Sequence, residues 1–158
     1  MAIYYFDTSA LVKLYIPEVG SDWVDWLVNS VDQNGSPANM VVFAKIGIAE
    51  VAAALARQAR LGSITAEKRT QLYRLFLGDS GKIFETLAIT DQVIHLAADL
   101  TQRAVLKGYD AVHLASAWLY HQRLVGARIS PLIFVSADEK LCMAAGQEGL
   151  KTENPNFR

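Results

Sequence analysis

The chain has 158 residues, 52% of them hydrophobic and 20% charged, with a net charge of −1 at neutral pH. That length suits one domain, residues 1–158, burying roughly 70% of the surface its unfolded chain exposes, and the near-neutral charge excludes a strongly basic nucleic-acid coat while allowing a local basic path to an acidic site. A lone cysteine, Cys142, excludes an intramolecular disulfide and a cysteine zinc site. With no signal-peptide core and no apolar run of about 20 residues, the expected compartment is the cytoplasm and no membrane is involved. The hydrophobic excess suggests an apolar partner surface.

Residues 2–6 are short and β-rich and predict a buried strand. Ser9 to Ile16 follows as a short helical segment that Pro17 stops. Ser21 is placed to N-cap a helix over Asp22 to Val28, where Trp23, Trp26 and Leu27 recur at i, i+3 and i+4. Asn29 to Asn39 holds Gly35 and Pro37 and predicts a loop, with a second strand at Met40–Phe43. From about Ile46 to Arg60 the pattern is helical and alanine-rich, closing at Gly62. Thr65 opens another helix ending near Gly78 or Gly81, and the two pair as an antiparallel hairpin.

Phe84 to Ile89 predicts a strand, after which Thr90 caps a long helix from Asp91 to Lys107 that Gly108 stops. Asp110 caps the next helix, which runs to about Gln122. A loop with Gly126 and Pro131 leads to a strand at Leu132–Val135 and a helix from Asp138 to Ala145, with Gly146 after it. Leu150–Thr152 is a short last strand. Alternating strands and helices predict an α/β fold around a mainly parallel central sheet.

Asp7, Glu50, Asp110 and Asp138 each stand where a strand or helix begins or ends, inside otherwise apolar stretches. Ionised carboxylates are seldom buried unless they are paired or hold a metal. In parallel α/β sheets ligands bind at the carboxyl ends of the strands. Asp7 and Asp138 each follow a strand directly, Asp110 opens a helix aimed at the same edge, and Glu50 can reach it from a helix with apolar neighbours. Gathered by the fold, the four would suit a hard divalent cation, as one ion with outer-shell contacts or two ions about 4 Å apart. Each also has an ordinary reading. Asp7, Asp110 and Asp138 can be plain N-caps, whereas Glu50 in an Ala/Val/Leu run costs stability unless something satisfies it.

Four segments carry a resemblance. Phe6-Asp-Thr-Ser-Ala-Leu-Val-Lys-Leu14, Ile48-Ala-Glu-Val-Ala-Ala-Ala-Leu55, Gly108-Tyr-Asp-Ala-Val-His-Leu-Ala-Ser116 and Phe134-Val-Ser-Ala-Asp-Glu-Lys-Leu141 resemble the PIN domain, and within it the VapC-type toxins of bacterial toxin–antitoxin pairs. The resemblance runs from Ile3 to about Pro155, including the ending Gly149-Leu-Lys-Thr-Glu-Asn-Pro155. It implies a three-layer α/β/α sandwich and a Mg²⁺- or Mn²⁺-dependent endoribonuclease, usually dimeric and inhibited by a cognate VapB-like antitoxin. It places Asp7, Glu50, Asp110 and Asp138 on the family's four acidic positions, and Thr8 or Ser9, with Ser136, on its small hydroxyl positions near the metal. The implied chemistry is in-line attack of water on an RNA phosphodiester, leaving a 5′-phosphate and a 3′-hydroxyl. Asp7 and Asp110 are the expected direct ligands, with Glu50 and Asp138 completing the shell or orienting water. The general base is left open.

His113 lies three residues after Asp110 on the same helix face and is either a packed histidine or a participant in proton transfer. Arg57, Arg60, Lys68, Arg69 and Arg74 around the helix hairpin are RNA contacts or a solvated face. Lys13, one short helix from Asp7, is the nearer candidate for a phosphate contact. A haloacid-dehalogenase-type phosphatase would need a second Asp where Ser9 stands, and a receiver domain would need an acidic pair before its first phosphorylatable Asp. Serine-nucleophile chemistry lacks a nucleophile elbow. The remaining alternative is a PIN-like module that binds RNA or a protein without cutting.

Overall fold

The three central strands alternate their side chains between two cores, and that alternation sets the architecture. In a computed structural model describing Met1 to Arg158, β1 (Ala2–Phe6), β2 (Asn39–Ala44), β3 (Phe84–Leu87), β4 (Leu132–Val135) and β5 (Lys151–Glu153) form one sheet in the order β3-β2-β1-β4-β5. Every neighbouring pair is parallel. Successive residues of a strand point to opposite faces. Ile3, Tyr5, Val42, Ala44, Leu132 and Phe134 therefore enter one core, and Phe6, Val41, Phe43 and Val135 the other.

The first core is covered by α5 (Asp91–Arg103), α6 (Gly108–Gly126) and α7 (Glu139–Gln147). The second is covered by α1 (Thr8–Val12), α2 (Ser21–Asn29), α3 (Gly47–Arg60) and α4 (Ala66–Ser80). The result is an α/β/α sandwich with a parallel centre. In α6 every residue from Ala111 to Ala117 is buried, as expected of a helix apolar on all sides at its inner end. A 3-10 turn at Pro155–Phe157 ends the chain.

Several element boundaries differ from the sequence reading. The helix read as Asp91 to Lys107 ends at Arg103, because Ala104 adopts extended angles (φ −139°, ψ 151°) and Leu106 turns in to pack on the core. Gly108 does not stop that helix; it is the first residue of α6. Asp110 is accordingly the third helical residue, and the N-cap position belongs to Lys107, whose side chain makes no capping bond. The end of α6 lies at Gly126 rather than near Gln122, and Gly146 falls within α7. Ser21 is the first residue of α2, not its cap; Gly20 holds that position with φ 83°, while the Ser21 hydroxyl accepts from the Glu18 amide at 2.9 Å. Thr65 and Thr90 cap their helices as expected, accepting from the Lys68 and Val93 amides.

A candidate acidic active site at the carboxyl edge of the sheet

Asp7 leaves β1 at its carboxyl end, and its amide still donates to Val135 of β4 at 3.1 Å. The side chain is almost wholly buried. Its Oδ1 caps α1 by accepting from the Ala10 amide at 2.9 Å and also accepts from Ser9 Oγ at 2.7 Å; Oδ2 accepts from Ser136 Oγ at 2.6 Å. Ser136 is fully buried just past β4, and its hydroxyl accepts from the Asp138 amide at 3.0 Å. Ser9 Oγ in turn accepts from the Ala137 amide at 2.8 Å. The β1 and β4 termini are thus tied together through two serine hydroxyls and one carboxylate.

Asp138 is exposed and N-caps α7, with Oδ1 accepting from Lys140 at 2.8 Å and Leu141 at 3.2 Å. Glu50 sits in the first turn of α3 and is half-buried. Its Oε2 accepts from Thr8 Oγ1 at 2.6 Å and lies 2.6 Å from His113 Nε2. Asp110 is half-buried on α6 and does not hold its N-cap position. All four acids line one cavity of about 540 Å³, together with Thr8, Ser9 and His113. A second, open cavity of about 820 Å³ adjoins it, sharing Ser9, Lys107, Asp110 and Asp138.

Burial pushes the Asp7 carboxyl above the usual range, and His113 with the hydroxyls of Ser136 and Ser9 and the Ala10 amide restrains that rise. Burial likewise raises Asp110, helped by the negative charge of Asp138, against the pull of Lys107. Burial acts to raise Glu50 too, but the hydrogen bonds from His113 and the Thr8 hydroxyl outweigh it, so Glu50 lies below the usual range. The site therefore mixes a readily ionised Glu50 with two acids that ionise at a cost in the absence of a neighbouring cation.

The donor set fits a hard divalent cation. The hydrogen bonds described leave accepting capacity on Asp7 Oδ2, Glu50 Oε1 and Asp138 Oδ2, all on residues lining the same cavity. No group of three or more Asp, Glu, His or Cys side chains is arranged to hold a metal ion. Mg²⁺ keeps several waters and takes one or two direct carboxylates, so it does not require such a group.

Lys13 does not point into this cavity as a free cation. It is 4% exposed, and its Nζ is held by Glu18 Oε2 at 3.2 Å and the Val19 carbonyl at 2.7 Å. The positive side chains that line the cavity are Arg57 and Lys107. Arg57 lies seven residues after Glu50 on α3, a spacing that shares a helix face and was visible in the sequence. Lys107 and Glu18 gave no such signal, because loop and cap geometry alone brings them to the rim.

A sequence model of the PIN domain matches residues 4–145. The chain belongs to the PIN domain family. Ribonuclease VapC45 of Mycobacterium tuberculosis is 32% identical over 124 residues, covering 74% of this PIN domain chain and 76% of that protein. The crystal structure of FitAcB from Neisseria gonorrhoeae superposes with a TM-score of 0.65 at 17% identity, over 96% of this chain and 97% of that one. A toxin-antitoxin complex from Klebsiella pneumoniae superposes with a TM-score of 0.58 at 20% identity, over 98% of both chains. The α/β/α arrangement of this PIN domain is the fold those structures share. No helix in it is long and apolar enough to cross a membrane.

Proposed function

We propose that this PIN domain is a divalent-metal-dependent endoribonuclease and the toxin of a toxin–antitoxin pair. The observation that carries the reading is the convergence of Asp7, Glu50, Asp110 and Asp138, from four separate elements, on one cavity at the carboxyl edge of the sheet. The 32% identity to a protein named as a ribonuclease supports the activity. The likeness to a toxin-antitoxin complex supports a VapB-like partner. The cytoplasm is the compartment in which such a pair would act. Self-association as a homodimer completes the reading, supported by exposed apolar side chains such as Val105, Tyr109 and Met143.

Asp7 and Asp110 are the proposed direct ligands of Mg²⁺ or Mn²⁺, with Glu50 and Asp138 completing the shell and orienting the attacking water. Ser9 and Ser136 hold Asp7, and Thr8 holds Glu50. Arg57 and Lys107 bind the flanking phosphates. When bound, the cation supplies Lewis acidity and positive charge against the charge that builds on the phosphate. The products are a 5′-phosphate and a 3′-hydroxyl.

Cleavage of total cellular RNA by the purified protein, in Mg²⁺, in Mn²⁺ and in EDTA, tests this beside an Asp110→Asn protein prepared identically. Cutting that needs metal and falls at least about 100-fold in the variant is expected. Equal cutting by both proteins would sink the catalytic assignment. A folded, antitoxin-free protein that binds RNA without cutting it would point to a silent binding module.

A further inference from the structure

His113 follows Asp110 by one turn of α6, and its side chain is 3% exposed against the acidic cavity. Its two ring nitrogens have separate partners. Nε2 lies 2.6 Å from Glu50 Oε2 and 3.3 Å from Thr8 Oγ1, and Nδ1 lies 2.9 Å from the Tyr5 hydroxyl. Tyr5 is fully buried on the central strand, its ring stacked on Phe134 with centroids 5.4 Å apart. A buried hydroxyl requires an acceptor, and burial keeps the Tyr5 phenol protonated. With Tyr5 donating to Nδ1, a neutral ring carries its proton on Nε2, facing Glu50. Thr8 donates to the same carboxylate oxygen. Both donors fall on Oε2, and Oε1 has no hydrogen bond from the protein.

We propose that His113 is a positioning residue for Glu50: its Nε2–H, in the tautomer that Tyr5 selects, pins Oε2 and presents Oε1 to the cavity in a fixed orientation. The proposal rests on the reading of Glu50 as one of the working carboxylates. A histidine satisfied only within the core would not need its second nitrogen on an acid of the site. Here the chain Tyr5–His113–Glu50 runs from the middle of the sheet to the cavity wall, so the packing of the core is transmitted to one carboxylate. Partners of this kind orient the groups that meet a metal and are worth about 10- to 100-fold in affinity or rate.

The test compares the parent protein with His113→Leu, His113→Gln, Tyr5→Phe and Glu50→Gln. The readouts are Mn²⁺ affinity by calorimetry, kcat and KM for RNA cleavage, melting temperature, and long-range ¹H–¹⁵N spectra of the His113 ring. His113→Leu is expected to lose about 10- to 100-fold in Mn²⁺ affinity or kcat with KM little changed, and His113→Gln, which retains an N–H donor of similar reach, to recover most of it. In Tyr5→Phe the aromatic stack stays and the spectra move from the Nε2–H tautomer toward a mixture. A folded His113→Leu protein that keeps Mn²⁺ affinity and kcat within about twofold of the parent would overturn the proposal, as would a ring proton on Nδ1 in the parent. Should His113→Leu fail to fold, Tyr5→Phe with an unchanged tautomer and unchanged kcat overturns it instead. Full activity in Glu50→Gln would remove the reading of Glu50 itself, and the positioning role with it.

Discussion

Asp110 differs from Asp7 and Asp138 in not holding an N-cap position. Asp7 caps α1 and Asp138 caps α7, so each stabilises a helix whether or not it also meets a cation. Asp110 lies three residues past the N-cap of α6, and burial and the charge of Asp138 outweigh Lys107 in disfavouring its ionised form. Its charge is therefore a cost to the metal-free fold. Asp110→Asn is expected to melt roughly 1–3 °C above the parent in EDTA. Saturating Mn²⁺ should reverse the order, because ligand binding stabilises the parent and the variant has lost a proposed ligand. Scanning calorimetry of both proteins with and without metal checks this; a variant that melts lower in EDTA would show that the carboxylate stabilises the fold.

At the scale of elements, the connections position the site. The β1–α1 and β4–α7 junctions are joined by Asp7, Ser9 and Ser136, and the extended residues 104–107 bring Lys107 and Asp110 to the same rim. Gly20 shows how tightly one such junction is drawn. It starts α2 at φ 83°, and a Cβ there would stand 2.3 Å from the Pro155 carbonyl oxygen. Gly20→Ala is expected to lower the unfolding free energy by about 2–4 kcal/mol, combining the left-handed backbone penalty with overpacking against rigid main chain. Urea unfolding measures it, and a loss below about 0.5 kcal/mol would mean that the C-terminal turn yields freely. The sequence reading placed all five strands to within two residues, but it missed the break at Ala104 because the apolar Val105 and Leu106 continue a helical-looking pattern. Only packing shows that Leu106 turns inward while Val105 stays in solvent.

On the scale of the whole molecule, a net charge of −1 means that attraction for a polyanion has to be local. Arg57 and Lys107, which line the acidic cavity, are the proposed source of that local attraction. Arg57→Ala is expected to weaken binding of single-stranded RNA and to make the slope of log K against log salt shallower by about 0.7, the share of one released phosphate contact. Filter binding across a salt series tests it; an unchanged slope would return Arg57 to the solvated face.

By itself the sequence determined the α/β alternation and offered the four acidic residues as a candidate site, each standing in an otherwise apolar stretch, while Thr8 or Ser9 and Ser136 were marked only by the family resemblance. The tertiary structure alone decided which of those acids also cap helices, that Lys13 is bonded to Glu18 and Val19, and that His113 joins Tyr5 to Glu50. Those relations link residues of separate elements, such as Tyr5 and His113 across 108 positions. The crossovers of a parallel sheet make such distant residues neighbours, and no local pattern encodes which ones meet.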